Sequence, residues 1–160
     1  MIQKYKFIVT LPISILTLLM SLVFLDFYVL PKDTIEAEIE FYSKIRAKRS
    51  VIGYNFTTYN DLSFSIEESY IPENMVTLKV SKVFSIIKNV KTKRKDYSDK
   101  LMSGLSGVNL YFYIILTISC YVSLYYLLIS KNLSENSFQN IICFNLIMLF
   151  FISILLFKFK

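Results

Sequence analysis

The sequence contains no histidine and only three glycines, and each scarcity argues against a class of chemistry. Without histidine the chain lacks the usual general base near neutral pH and the commonest metal ligand, which argues against most of the familiar hydrolase and zinc sites. The glycines are Gly53, Gly104 and Gly107, and none opens the G-x-x-x-x-G-K pattern of a phosphate-binding loop. We therefore expect no cofactor, no metal site and no catalytic residues.

Cysteine is also scarce. The two cysteines, Cys120 and Cys143, both fall inside apolar runs, and the polar region between Pro31 and Asn109 contains none. No disulfide framework is predicted. The cysteines therefore do not indicate whether the polar region lies in a reducing or an oxidising compartment.

Apolar residues are abundant instead. They make up 54% of the 160 residues, which is more than a soluble globule of this size buries. Three runs carry the excess, at residues 7–30, 110–130 and 141–157. At about 1.5 Å rise per residue each can cross a hydrocarbon core of about 30 Å, the third only just. We expect three transmembrane helices; the alternative of a cleaved signal peptide at the first run lacks a small-x-small cleavage site.

The polar middle of the chain begins with a strand pattern. In "TIEAEIEFYSKIRAKR" the odd positions from 35 to 47 are apolar except Ser43 and the even ones are largely charged, a period of two that is typical of a half-buried strand. A helix would scatter the apolar residues around its axis. We predict that one face carries Ile35, Ala37, Ile39, Phe41, Ile45 and Ala47.

The next two apolar rows predict a hairpin with a defined register. Paired residues share a face of the sheet, so Tyr54 and Phe56 must face the same side as Phe64 and Ile66. A two-residue turn would place the rows on opposite faces. We therefore expect a three-residue loop at 59–61, with Phe56 opposite Phe64.

Two later segments complete the expected fold. "MVTLKVSK" alternates again and predicts a fourth strand, whereas "VFSIIKNV" fits either a fifth strand or a helix. The fold class is a membrane α + β protein with a small antiparallel sheet or open barrel between helices 1 and 2. The expected divisions are a tail and first span at 1–30, a β-domain with a basic juxtamembrane segment at 31–108, a second span at 109–130, a short loop at 131–140, and a third span with a tail at 141–160.

This order of elements resembles a family. An anchor helix, a "YNFT" strand hairpinned to "LSFS", a turn with proline, the "VTLKV" strand and a returning helix are similar to a widespread bacterial family of unknown function. Its members are small membrane-anchored β-domains. The resemblance implies an architecture and a bacterial inner membrane, but no reaction.

Within the predicted spans, small polar residues recur at helical spacing. They permit close helix approach and hydrogen bonds between helices in lipid, so we expect them to pack helices. The candidates are Thr10, Ser14, Thr17 and Ser21 on the first helix, Ser119 and Ser123 on the second, and Asn145 on the third. Asp26 is the one charge in the first run, and it is either an intramembrane functional residue or an interfacial one near Lys32.

A basic run precedes the second span. Its cations are Lys91, Lys93, Arg94, Lys95 and Lys100. Beside a membrane helix, such a run more often meets anionic head groups or sets orientation than binds nucleic acid. The total count of flanking cations favours a cytoplasmic β-domain, whereas the flanks of the first helix favour the reverse.

Three hypotheses for function follow. The leading one is a multi-pass membrane protein without catalysis, whose β-domain binds a partner or builds a homo-oligomer or other membrane assembly. The alternative is an accessory subunit of a transporter or channel, in which Asp26 and the polar stripes line a path. The third is an enzyme with an unusual tyrosine, lysine or carboxylate site.

Overall fold

The computed structural model describes residues 2–48, 50–130 and 134–158, which form helices and one antiparallel sheet. The helices are α1 (Ile2–Tyr28), α2 (Gly107–Ile129) and α3 (Glu135–Lys158). The strands are β1 (Lys32–Ala47), β2 (Ser50–Thr58), β3 (Ser63–Glu67), β4 (Met75–Ser81) and β5 (Ile87–Lys91). The predicted antiparallel sheet between the first two helices is confirmed, and "VFSIIKNV" forms a turn followed by β5.

The sheet is curled around its long central strand. The strand order is β3-β2-β1-β4-β5, and β1 pairs with β4 through its first half and with β2 through its second half. The segment at 96–102 then bridges the two edges, because Asp96 pairs with Lys91 of β5 and Leu101 pairs with Ile66 of β3. Both edge strands are thus partly covered, which limits pairing with other chains.

The β2–β3 hairpin has the register that the sequence predicts. Phe56 lies opposite Phe64 and Tyr54 opposite Ile66. In the loop, the amide of Asp61 donates to the carbonyl of Thr58 at 3.0 Å, and Asp61 has a φ of +58°. This is the three-residue loop in which a tight turn is followed by a left-handed residue.

Two face assignments on β1 are wrong. Phe41 and Ala47 were expected on the half-buried face, but Phe41 is 55% exposed and Ala47 is also exposed. The register shifts between Ile39 and Phe41, so a bulge exchanges the two faces beyond that point. Tyr42 consequently lies opposite Phe56, and a simple period of two cannot reveal such a bulge.

The β-domain has one main core. Its fully buried members come from the hairpin, from β4 and β5, and from the covering segment. They include Phe56, Phe64, Ile66, Leu78 and Val90, and Tyr97 and Leu101 are buried with them. Alternate positions of β4 fill this core because successive side chains of a strand point to opposite faces.

In the helical part, α1 packs on α2 and α2 packs on α3. Two helices in the described part of the chain, Lys6–Tyr28 and Gly107–Ile129, are long and apolar enough to cross a membrane. Only 17% and 28% of their apolar windows are buried, whereas a core helix of a soluble protein would be mostly covered. These two helices therefore indicate membrane association.

Three spans are not supported. Helix α3 begins at Glu135, inside the loop that was expected at 131–140, because the polar residues before 141 are already helical. Residues 131–133, and the side chains at 152 and 154–158, lie outside the described residues. Of the three predicted crossings, the structure therefore supports two.

Candidate functional site

Asp26 lies in the last turn of α1 and is 1% exposed. One carboxylate oxygen accepts a hydrogen bond from the amide of Val83 at 3.1 Å, and the other accepts one from the amide of Phe84 at 2.9 Å. The Ser81 side chain is a further hydrogen-bonding neighbour. The carboxylate therefore ties the end of α1 to the β4–β5 turn, residues 82–86. We call Asp26, Lys32, Ser81 and this turn the joint.

Lys32 adds contacts to the backbone at the joint. Its ammonium donates to the backbone carbonyl of Asp26 at 2.7 Å and also to that of Leu30. A cation at these carbonyls satisfies acceptors that have no partner within the helix, and it complements the negative end of the helix dipole. The sequence predicts that Asp26 lies near Lys32, and the two residues are in contact. Lys32 donates a hydrogen bond to the backbone carbonyl of Asp26, whereas it interacts with the Asp26 carboxylate only through charge.

Polar residues of all three helices meet around Asn145, which is 4% exposed. Its amide nitrogen donates to the Ser123 hydroxyl at 2.8 Å, and its oxygen accepts from the Ser119 hydroxyl at 3.1 Å and from the Cys120 thiol at 3.5 Å. Thr17 on α1 is a hydrogen-bonding neighbour of Cys120. We call these five residues the helix network. Four of them were predicted; Cys120 was missed because its thiol reads as apolar in an apolar run.

The other stripe residues on α1 have separate roles. Ser21 and Tyr121 share a hydrogen bond of 2.6 Å between α1 and α2. The hydroxyl of Thr10 donates within its own helix, to the carbonyl of Lys6 at 2.7 Å, and Ser14 is half-buried. The ammonium of Lys6 donates to the carbonyl of Ser130 at 2.8 Å, which aligns the outer ends of the two antiparallel helices.

The basic run folds into a turn at the far end of β5. Residues 91–95, which we call the basic turn, begin where β5 ends, and the joint lies at the other end of that strand. At about 3.3 Å per residue, Ile87 and Lys91 are roughly 13 Å apart along the strand. The run is therefore separated from the end of α1 by one strand length. Its contact with lipid stays a prediction.

The cations of this run have local partners. Lys91 forms an ion pair of 2.6 Å with Asp96, and the Lys95 ammonium lies 5.2 Å from the ring centroid of Tyr97. Lys100 donates to the Ser69 hydroxyl at 2.8 Å. Hydrogen bonds from Lys91, and then from Ser98, lower the pKa of the Asp96 carboxyl to about 2. The side chains of Lys93 and Arg94 are exposed.

Three tyrosines, two of them exposed and one half-buried, form an aromatic surface that sequence reasoning missed. The ring centroids of Tyr42 and Tyr70 are 4.9 Å apart, those of Tyr54 and Tyr70 5.5 Å, and those of Tyr42 and Tyr54 6.3 Å. All three rings lie against Phe56, which is fully buried. Tyr42 and Tyr70 are 47% and 45% exposed. We call these three residues the tyrosine cluster.

The only sequence signal for this cluster is the number of tyrosines, 12 in the whole chain. Tyr42 comes to this face through the β1 bulge, and Tyr70 comes from the loop after β3, so neither placement follows from a local pattern.

Comparison with protein-family models, with curated proteins and with solved structures found no match. The resemblance to a bacterial family of membrane-anchored β-domains therefore stays a prediction, and the geometry alone carries the functional argument.

Proposed function

We propose that this chain is a multi-pass membrane protein without catalysis, whose β-domain binds a protein partner through the tyrosine cluster. The observation that carries the proposal is that three tyrosine rings are in mutual contact on the buried ring of Phe56, with Tyr42 and Tyr70 exposed and Tyr54 half-buried. Tyrosine offers a large apolar face and a hydroxyl at low conformational cost, and it is enriched at the centres of protein interfaces.

The rim of the cluster carries at least one cation. Lys44 lies opposite Tyr54 in the sheet and is exposed, and the whole chain carries a net charge of +6. A cation at the rim of an aromatic patch speeds encounter with a partner of opposite charge more than it tightens the complex. The partner is either a second copy of this chain or a different membrane protein.

The alternative, an accessory subunit of a transporter or channel, is less well supported. It requires Asp26 and the polar stripes to line a path for a solute. The carboxylate of Asp26 is instead occupied by two amides of the β4–β5 turn, and Asn145 is saturated by side chains of α2 and by its own helix. These contacts support assembly of the helices over transport.

Site-specific photocrosslinking tests the proposed function. A benzophenone amino acid at Tyr70 should give a protein adduct in intact membranes, and Tyr42→Ala should reduce its yield. The matched control position is Tyr59, which is 64% exposed but lies outside the cluster. An adduct of twice the chain mass indicates a homo-oligomer, and another mass indicates a different partner. Equal yields from positions 70 and 59 would contradict the proposal.

We also propose that α3 crosses the membrane as the third span. The supporting observation is the buried Asn145, because a polar amide satisfied by side chains of α2 and by its own helix suits a lipid environment. Ile147 is 53% exposed on α3. In a variant whose native cysteines are replaced by serine, Ile147→Cys should resist a water-soluble maleimide, whereas Ser137→Cys should react. Rapid labelling at position 147 would contradict a crossing.

A further inference from the structure

The β4–β5 turn exposes apolar side chains at the point where the β-domain meets α1. Val83 is 64% exposed and Phe84 is 38% exposed, whereas the strand residues on either side, Val80 and Ile87, are buried. Gly, Pro, Asn, Asp and Ser dominate turns, yet this turn presents Val83 and Phe84 to its surroundings. Two exposed apolar residues at this place therefore point to a non-aqueous neighbour.

The depth of this turn is fixed by Asp26. The amides of Val83 and Phe84 both donate to its carboxylate, and Asp26 lies only about 3 Å along the helix axis from Tyr28, the last residue of α1. The apolar window of α1 runs from Lys6 to Tyr28. When α1 crosses a bilayer, Val83 and Phe84 consequently lie at the boundary between acyl chains and head groups.

Cations and aromatic rings surround the same boundary. The Lys88 ammonium lies 5.4 Å from the ring centroids of both Phe27 and Tyr28, and Lys82 is exposed in the turn. Tyrosine is enriched at membrane interfaces, and lysines near an anionic leaflet are attracted to its surface. The charge of this surface thus complements anionic lipid.

An apolar cavity opens beside the turn. Its volume is about 400 Å³, and it lies between α1, the start of α2 and the turn, with Val23, Phe84, Ile86 and Leu105 among its lining residues. Almost all of the lining is apolar, which suits an acyl chain near its head group.

We infer that the β4–β5 turn is a lipid-binding surface, in which Val83 and Phe84 insert among acyl chains and Lys82 and Lys88 bind the phosphate of anionic lipid. This inference rests on the membrane placement in the proposed function. The β-domain is joined to the membrane helices at the end of α1 and at the start of α2, and the turn adds a further contact with the bilayer. This contact fixes the direction in which the tyrosine cluster faces.

Single-tryptophan fluorescence tests the inference, because the chain contains no tryptophan. Phe84→Trp in the full chain is reconstituted in vesicles of three parts phosphatidylcholine to one part phosphatidylglycerol. Its emission should be quenched by lipids that carry a nitroxide near the head group and protected from aqueous iodide. Tyr59→Trp, in the β2–β3 loop, is the control that iodide should quench.

A third variant separates failure of this inference from failure of the membrane placement. Ile118 is 57% exposed on α2, so Ile118→Trp reports whether the helices lie in lipid. If lipid quenches the tryptophan at position 118 while the one at position 84 behaves like the one at position 59, the inference is overturned and the membrane placement stands. If lipid quenches the tryptophan at neither position 118 nor position 84, both the inference and the membrane placement are overturned.

The role of the two lysines is tested with labelled head groups in the Phe84→Trp variant. Nitroxide-labelled phosphatidylglycerol should quench its tryptophan more than labelled phosphatidylcholine does, and the double change Lys82→Gln/Lys88→Gln should abolish that preference. The matched control, Lys93→Gln/Lys95→Gln in the basic turn, should retain it. A preference that survives the loss of Lys82 and Lys88 would overturn their assignment.

Discussion

Strand β5 runs between two turns that differ in almost every property. At one end, the joint holds a carboxylate, Asp26, that is 1% exposed and binds backbone amides of an apolar turn. At the other end, the basic turn is closed by Asp96, whose side chain is 48% exposed and pairs with Lys91. Both carboxylates organise a turn, but only the first does so where water is scarce.

The difference sets two predictions against each other, one from local charge and one from tertiary contacts, about which surface meets the membrane. The basic turn has the denser cations and was expected to face lipid, yet it lies a strand length from the end of α1. The joint has fewer cations, but its apolar residues are fixed at the depth of the last turn of α1. The inference predicts that the tertiary contacts of Asp26, rather than local charge density, decide which of the two turns meets the membrane.

The largest loss of stability is expected from a change in the core of the β-domain, which lies between the two turns. Phe64→Ala removes a fully buried ring that stacks on Phe56 at 5.4 Å, and we expect it to lower the free energy of unfolding by about 3–5 kcal/mol. Urea titration in detergent micelles measures the loss. Tyr59→Ala, at an exposed position, is the control, and equal losses at both positions would show that Phe64 is not in the core.

The second effect should come from the joint. Asp26→Ala removes two hydrogen bonds to a charged acceptor and leaves the amides of Val83 and Phe84 without it, so we expect a loss of about 2–4 kcal/mol. Asp26→Asn keeps one acceptor oxygen and should lose less. In the Phe84→Trp background, Asp26→Ala should also release the tryptophan from lipid. Asp33→Ala, on the exposed side of β1, is the control; a loss no larger than that of Asp33→Ala would contradict the role of Asp26.

The equivalent change at the other end of β5 should be small and dependent on pH. Asp96→Asn breaks an exposed ion pair, and such pairs are worth below about 1 kcal/mol. The folded pKa of Asp96 is lowered to about 2 from an ordinary value of 3.8, so its contribution is present above pH 3.8 and is lost as the pH falls towards 2. In urea titrations above about pH 5, Asp96→Asn should have a lower free energy of unfolding than the parent, and near pH 2 the two values should become nearly equal. If the difference in the free energy of unfolding between Asp96→Asn and the parent grew on acidification, the prediction would be contradicted.

The smallest effect is expected for the exposed cations of the basic turn. Reversing Lys93, Arg94 and Lys95 to glutamate should change the free energy of unfolding by less than about 0.5 kcal/mol per position. The sequence predicts that this reversal weakens contact with anionic bilayers, whereas placement at the far end of β5 predicts a weaker effect than Lys82→Gln/Lys88→Gln. Quenching by labelled phosphatidylglycerol compares the two variants directly.

Much of the β-domain was predictable because its patterns are local. The register of Phe56 with Phe64 follows from parity alone, since a slip of one residue would expose an apolar row. The face of Phe41 was not predictable, because a bulge at Ile39 exchanges the faces without changing the sequence period. The strand at β5 was undecided because five residues fit either a strand or the start of a helix.

The candidate sites were predictable only in part, for a related reason. Spacing along a helix identified Thr17, Ser119 and Ser123, because residues three or four apart share a helix face, and Asn145 was identified as a single polar residue near the start of the third apolar run. The partners of Asp26 lie 57 and 58 residues away in the chain, and no periodic pattern links them. The tyrosine cluster likewise combines a bulge, a strand and a loop.

The central claim is that β5 separates a lipid-facing turn from a water-facing one. Nitroxide labels at Val83→Cys and at Lys93→Cys, in a chain whose Cys120 and Cys143 are replaced by serine, test it in one pair of spectra on vesicles. Collisions with oxygen, which concentrates in lipid, and with a water-soluble nickel complex give the environment of each label. We predict that oxygen dominates at position 83 and nickel at position 93. Equal nickel collisions at both positions, or more oxygen collisions at position 93, would contradict the claim.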